Sequence, residues 1–129
     1  FTANKTEIPV FIPGEIMLIK AEALARKNQL SEAKVELDKV LTKKASEDIF
    51  AIGADLPAYS GALTQEALLK EIYRNRCIEL YMSGLKLEDS RRFLRPGPGA
   101  SGAERTRNFY PYPNNERDNN PNTPADPAI

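Results

Sequence analysis

The chain has 129 residues and is 28% charged, with 18 Lys and Arg balancing 18 Asp and Glu, which suits one domain around one modest core and gives no electrostatic pull toward nucleic acid. It contains no His, and its lone Cys77 can form neither an intrachain disulfide nor a thiolate cage, so zinc hydrolysis and Ser/Cys–His catalysis are excluded and no metal or cofactor is expected. The longest apolar runs, such as residues 16–19, fall far short of the roughly 20 residues that cross a bilayer.

Residues 13–43 predict two helices joined by a tight connection. Pro13 and Glu15 are start signals, and Met17, Ala21 and Leu24 recur on one face that Ile16, Ile19 and Ala23 widen. Ser31 is the expected N-cap of the second helix, with Glu32 in its first turn, Ala33, Leu37, Val40 and Leu41 as its apolar stripe, and Lys39, Lys43 and Lys44 at its C-terminal end. Only Lys27, Asn28 and Gln29 separate the two, which predicts an antiparallel hairpin whose small Ala21 and Ala33 admit close approach. The order of large and small apolar positions resembles one tetratricopeptide repeat, with Lys20 at a usually apolar position and Asn28 at the usual turn glycine. One such repeat cannot bury its own apolar face, so the hairpin at 13–44 must lean on other elements.

Between residues 45 and 61, Gly53, Pro57 and Gly61 break the pattern, leaving a loop with Ile49, Phe50, Ile52, Leu56 and Tyr59 as expected apolar anchors. Thr64 then caps a long helix whose buried side comprises Leu68, Leu69, Ile72, Tyr73, Cys77, Leu80 and Tyr81, with Gly84 as its stop and Cys77 as a buried structural thiol. A short helix is expected from about Leu87 to Leu94, with Glu88 and Arg92 paired at i,i+4. The Arg-rich helical block therefore spans 64–95, and 96–129 forms an irregular tail. That tail begins with Pro96, Gly97, Pro98 and Gly99, carries five of the ten prolines between 111 and 127, and forces no regular element. Phe109, Tyr110 and Tyr112 are expected to pin it.

The chemistry-bearing candidates are few. Glu79 and Asp89 with Arg76, Arg91 and Arg92 have the composition of a glycoside-hydrolase or phosphate site, but carboxylates embedded between apolar residues are usually held by Arg. Arg76, Glu79, Asp89 and Arg92 therefore read as structural ion-pair candidates that hold the long helix to the short one. No catalytic residue is assigned, and the ligand-binding residues are not readable. Tyr59, Tyr110 and Tyr112 have the side chains that stack on sugars, although loop aromatics more often anchor their loop. Residues 96–102 are Gly-rich yet lack the Lys-Ser/Thr ending of a phosphate loop.

Three segments, in this order, resemble the C-terminal part of the SusD/RagB family. They are L-I-K-A-E-A-L-A-R at 18–26 with S-E-A at 31–33; R-N-R-C-I-E-L-Y-M-S-G-L-K-L-E-D-S-R-R at 74–92; and F-Y-P-Y-P-N-N-E at 109–116 with N-P-N at 120–122. Asn75, Ser83, Lys86 and Ser90 depart from the family pattern and mark a divergent member. The resemblance implies a mainly α fold, with a tetratricopeptide-like hairpin in a SusD-like superhelix, and residues 1–129 as the C-terminal helical portion of a longer protein. It implies a non-catalytic glycan- or nutrient-binding component of a TonB-dependent uptake system for polysaccharide utilisation. Its partners would be the outer-membrane transporter, an oligosaccharide or other nutrient, and the remainder of the parent polypeptide. Its place would be the cell surface, as an outer-membrane lipoprotein whose lipidated Cys lies outside this chain. The main rival is a tetratricopeptide-type protein-interaction module.

Overall fold

The computed structural model describes residues 10–126, and among them regular structure is helical: α1 (Pro13–Arg26), α2 (Leu30–Leu41), a 3-10 turn (Ala45–Glu47), α3 (Gln65–Glu79), α4 (Lys86–Arg92) and α5 (Asn114–Asn119). The chain divides into two compact units, Phe1–Met82 and Ser83–Ile129.

In the first unit, α1 packs on both α2 and α3, and α2 also packs on α3. Pro13 opens α1 as expected, since its fixed φ and missing N–H fit the first helical position. The helix closes on a Schellman motif in which the Gln29 N–H reaches Leu24 O at 2.9 Å and the Asn28 N–H reaches Ala25 O at 3.0 Å. This requires φ of +60° at Asn28, a conformation that Asn tolerates better than other side chains, so the residue at the repeat's glycine position performs the glycine's task. The following helix starts two residues earlier than an N-cap at Ser31 predicts. Gln29 is the N-cap, its carbonyl accepts from the Ala33 N–H at 3.0 Å, and Ser31 lies inside the first turn.

The buried line of α1 is Gly14, Leu18, Ala21, Glu22 and Ala25. It is rotated from the Met17, Ala21, Leu24 stripe read from periodicity. The reason is that α1 meets two helices, and the small residues at 14, 21 and 25 let both approach. Met17 and Leu24 flank this line, and Ile16 and Ile19 on the opposite side remain half exposed. Leu18, Leu37, Leu68 and Ile72 are fully buried and form the centre of the core, each contributing about 1.5–3 kcal/mol of transfer free energy.

Thr64 caps α3 as expected, its hydroxyl oxygen accepting from the Ala67 N–H at 3.2 Å. In turn the Gln65 side-chain amide donates to Ala25 O at 2.9 Å, so the first residue of α3 satisfies a carbonyl at the end of α1. The helix ends at Glu79, five residues before the expected glycine stop, with a last turn tightened by the Tyr81 N–H to Ile78 O bond at 3.2 Å. Leu80 is buried, but Tyr81 and Met82 are exposed and Cys77 is only half-buried.

The loop at 45–61 also departs from expectation. Ile49, Phe50 and Leu56 are exposed, and hydrogen bonds tie the segment down instead. The Asp55 N–H donates to Lys43 O at 3.0 Å, the Leu56 N–H to Leu41 O at 2.8 Å, and the Tyr59 N–H to Asp38 Oδ1 at 2.7 Å. Gly53 lies so close to the main chain at 43–45 that a Cβ there would meet Ala45 N at 2.4 Å.

In the second unit, α4 starts one residue before and ends two residues before the expected 87–94 helix, and its pairs fall at i,i+3: Arg91 with Glu88 at 3.1 Å and Arg92 with Asp89 at 2.7 Å. The tail holds one helix that the sequence did not force, α5, where the Pro113 carbonyl accepts from the Glu116 and Arg117 N–H groups. Phe109, Tyr110 and Tyr112 are all exposed; of the three, Phe109 still docks its ring under the Arg91 guanidinium at 4.7 Å, and polar bonds hold the tail further along. Asp126 accepts from the Tyr112 N–H at 3.1 Å and pairs with Arg117 at 2.7 Å.

Candidate functional site

Three of the four predicted ion-pair residues lie where burial makes charge expensive. Arg76, Glu79 and Asp89 are buried, whereas Arg92 is exposed. Asp89 is held by Arg92 at 2.7 Å. Glu79 is held by a residue that the sequence reading placed at a helix end, Lys43, whose Nζ lies 2.6 Å from Glu79 Oε1 and 3.0 Å from Asp48 Oδ2. The three side chains are 9%, 5% and 3% exposed, so a cation sits enclosed between two carboxylates. Burial alone would push the Asp48 carboxyl up, but bonds from Lys43, Phe50 N–H and Ile52 N–H outweigh it and hold the group below its ordinary value. For Lys43, burial alone would lower the ammonium, and the bonds to Glu79 and Asp48 outweigh it, raising the group.

Gly14 completes this cluster: a Cβ at that position would lie 1.9 Å from Glu79 Oε1. The apolar face of α1 therefore carries a glycine where the carboxylate of α3 needs room. Glu79 thus pairs with Lys43, and Asp89 with Arg92.

Concavities elsewhere among the described residues include one in each unit. In the first unit a cavity of about 270 Å³ is lined by Lys20, Leu24, Glu32, Val35 and Glu36. Glu36 accepts from Lys20 at 2.6 Å and Lys39 at 2.9 Å, bonds that hold its carboxyl below the usual range, so Lys20 and Glu36 of this hollow serve each other. In the second unit a cavity of about 460 Å³ is lined by Lys86, Leu87, Glu104, Arg105, Arg107 and Tyr110, together with Thr106. Its wall is anchored by Arg105, which donates to Arg95 O at 2.6 Å, to Ser90 O at 3.4 Å and to Asn108 Oδ1 at 3.1 Å. Gly97 leaves space for that guanidinium, since a Cβ there would lie 2.8 Å from Arg105 Nη2. Of the three tyrosines with the side chains for stacking, Tyr59 turns its hydroxyl onto its own loop, donating to Ala62 O at 3.1 Å, whereas Tyr110 lines the cavity and is 61% exposed. Sequence patterning points to Tyr110 but to neither Arg105 nor Arg107. The available signal was their alternation just before an aromatic pair.

No cluster of His, Cys, Asp and Glu fit for a metal ion occurs among the described residues, and no helix among them is long and apolar enough to cross a membrane. No curated protein and no solved structure matches the chain. The family model of the SusD family matches residues 2–127, which covers all three segments that carry the resemblance. SusD-family proteins are carbohydrate- and nutrient-binding, non-catalytic, outer-membrane-associated lipoproteins, and with its helical fold and nearly full-length match this chain belongs to that family.

Proposed function

We propose that the chain is the helical scaffold portion of a surface-exposed glycan- or nutrient-binding protein that works with a TonB-dependent outer-membrane transporter, without catalysis. The observation that carries this reading is the family match over residues 2–127. The enclosed Lys43 cluster supports the scaffold role. A buried ion set stabilises little in itself but makes wrong packing expensive, because any arrangement that separates its members leaves a bare charge inside. In this reading Arg76, Glu79, Asp89 and Arg92 fix helix orientation and take no part in chemistry.

Affinity purification of the tagged protein from detergent-solubilised outer membranes tests the partnership. A co-purifying TonB-dependent β-barrel transporter, together with loss of oligosaccharide uptake on deletion of the protein, is the expected result. Recovery without any transporter and with uptake intact would contradict it. The second reading, a tetratricopeptide-type interaction module, is favoured by one observation: Ile16 and Ile19 stand half exposed on the side of α1 opposite its buried line. Aspartate substitutions at both positions that abolish protein capture and spare uptake would favour that module.

A further inference from the structure

The cavity of the second unit combines features that specify a ligand class. Its volume of about 460 Å³ lies within the range of about 300–1,000 Å³ typical of small-molecule sites. Three cations, Lys86, Arg105 and Arg107, face a single carboxylate, Glu104. That carboxylate is already engaged, accepting from Arg95 Nε at 2.8 Å and lying 3.7 Å from Lys86. Arg105 gives its N–H groups to two carbonyls and an amide oxygen, so its positive charge has no carboxylate partner among these bonds. Arg107 is exposed and makes no hydrogen bond or ion pair with the described residues. A basic hollow with its own acid occupied has its remaining charge directed to an anion from outside.

The hollow is also prearranged. Arg107 lies between Arg105 and Asn108, whose side chains bond to each other, and the bonds from Arg105 to the carbonyls at 90 and 95 fix that segment against the end of α4. Tyr110 follows Phe109, whose ring lies under the Arg91 guanidinium at 4.7 Å, so the aromatic neighbour is anchored while the Tyr110 face stays open. An open tyrosine ring offers an apolar face to a sugar ring, and a planar guanidinium matches a carboxylate or sulfate with two parallel N–H donors.

Building on the nutrient-binding reading above, we infer that this cavity binds an anionic saccharide, Tyr110 stacking on the sugar ring and Arg107 pairing with its carboxylate or sulfate. Lys86 and Arg105 supply the surrounding positive field, and Thr106 also lines the cavity.

Titration calorimetry on the intact chain tests this with three probes: a tetragalacturonate, a sulfated galactan tetrasaccharide and a neutral galactan tetrasaccharide. Comparing the two acidic probes identifies which anion is read. The expected result is binding of at least one acidic probe that weakens with added salt, and a loss of about tenfold or more in Arg107→Ala and in Tyr110→Ala with the unfolding midpoint unchanged. Arg107→Lys recovers only part of the loss, because the ammonium keeps the charge and lacks the fork. Acidic binding insensitive to Arg107→Ala, or equal binding of the neutral probe, would overturn the inference while leaving the nutrient-binding reading standing. Failure of all three saccharides to bind would overturn the inference and count against this chain as a glycan-contacting portion.

Discussion

In the unit Phe1–Met82 the buried apolar side chains run from Leu18 on α1 through Leu37 and Val40 on α2 to Leu68 and Ile72 on α3, and they enclose a lysine between two carboxylates. In the unit Ser83–Ile129, Leu87 is the single buried apolar residue among those described, and order comes from Arg95 on Glu104, Arg105 on main-chain carbonyls and Arg117 on Asp126. On the proposed saccharide reading, the difference separates where stability and recognition reside. A core of carbon with an enclosed ion set resists change at every member, whereas a unit held by part-buried and exposed polar bonds leaves side chains at its surface.

The largest expected effect comes from opening the ion set. Lys43→Met leaves Glu79 and Asp48 facing one another without a cation and should cost about 3–5 kcal/mol in urea unfolding. Adding Glu79→Gln to that variant should recover part of the loss, since a neutral amide relieves the repulsion; no recovery would place the cost elsewhere. Next comes Gly14→Ala, which normal helix propensity would favour. With a Cβ 1.9 Å from Glu79 Oε1 it should instead destabilise by about 1–3 kcal/mol, and a stabilised variant would show that the two helices can part freely.

Acidity sharpens the same contrast. The lowered Asp48 carboxyl contributes stability that is present above its ordinary value of 3.8 and is lost as pH falls through the folded-state value; Glu36 behaves alike from 4.5 downward. The raised Lys43 ammonium contributes stability present below 10.5 and lost as pH rises through its folded-state value. Melting temperature against pH should therefore fall at both extremes, and Lys43→Met should remove the alkaline fall that Lys43 causes. The smallest effect is expected in the polar unit. Arg105→Ala should accelerate amide exchange at Glu104, whose N–H is bonded to Pro96 O at 2.9 Å, while exchange in α1 to α3 stays unchanged.

The three long helices were legible because their cores repeat at helical spacing and their boundaries carry local chemistry: Pro13, Asn28 and Thr64 act where they stand in the sequence. What failed lay where tertiary partners decide. The stripe of α1 rotated because two helices compete for it, and Ser31 gave up its cap because Gln29 already closes the turn from α1. Gly84 marks a turn with φ of +83° rather than the end of α3. Lys43 looked like a surface cation suited to a helix end, and only the approach of α3 and the 3-10 turn's following Asp48 encloses it. Within the candidate site, Tyr110 was visible as a loop aromatic. The role proposed for Arg107 was not, because it depends on Arg105 and Glu104 being engaged with others, which spacing does not encode.

The most direct test of the division between a stability-bearing unit and a ligand-bearing one is to measure unfolding free energy and tetragalacturonate or sulfated-tetrasaccharide affinity on the same two variants, Lys43→Met and Arg107→Ala. The expected result is crossed: Lys43→Met loses stability while its folded fraction keeps its affinity, and Arg107→Ala keeps its stability while losing about tenfold or more in affinity. Equal stability losses in both variants, or equal affinity losses in both, would contradict that division.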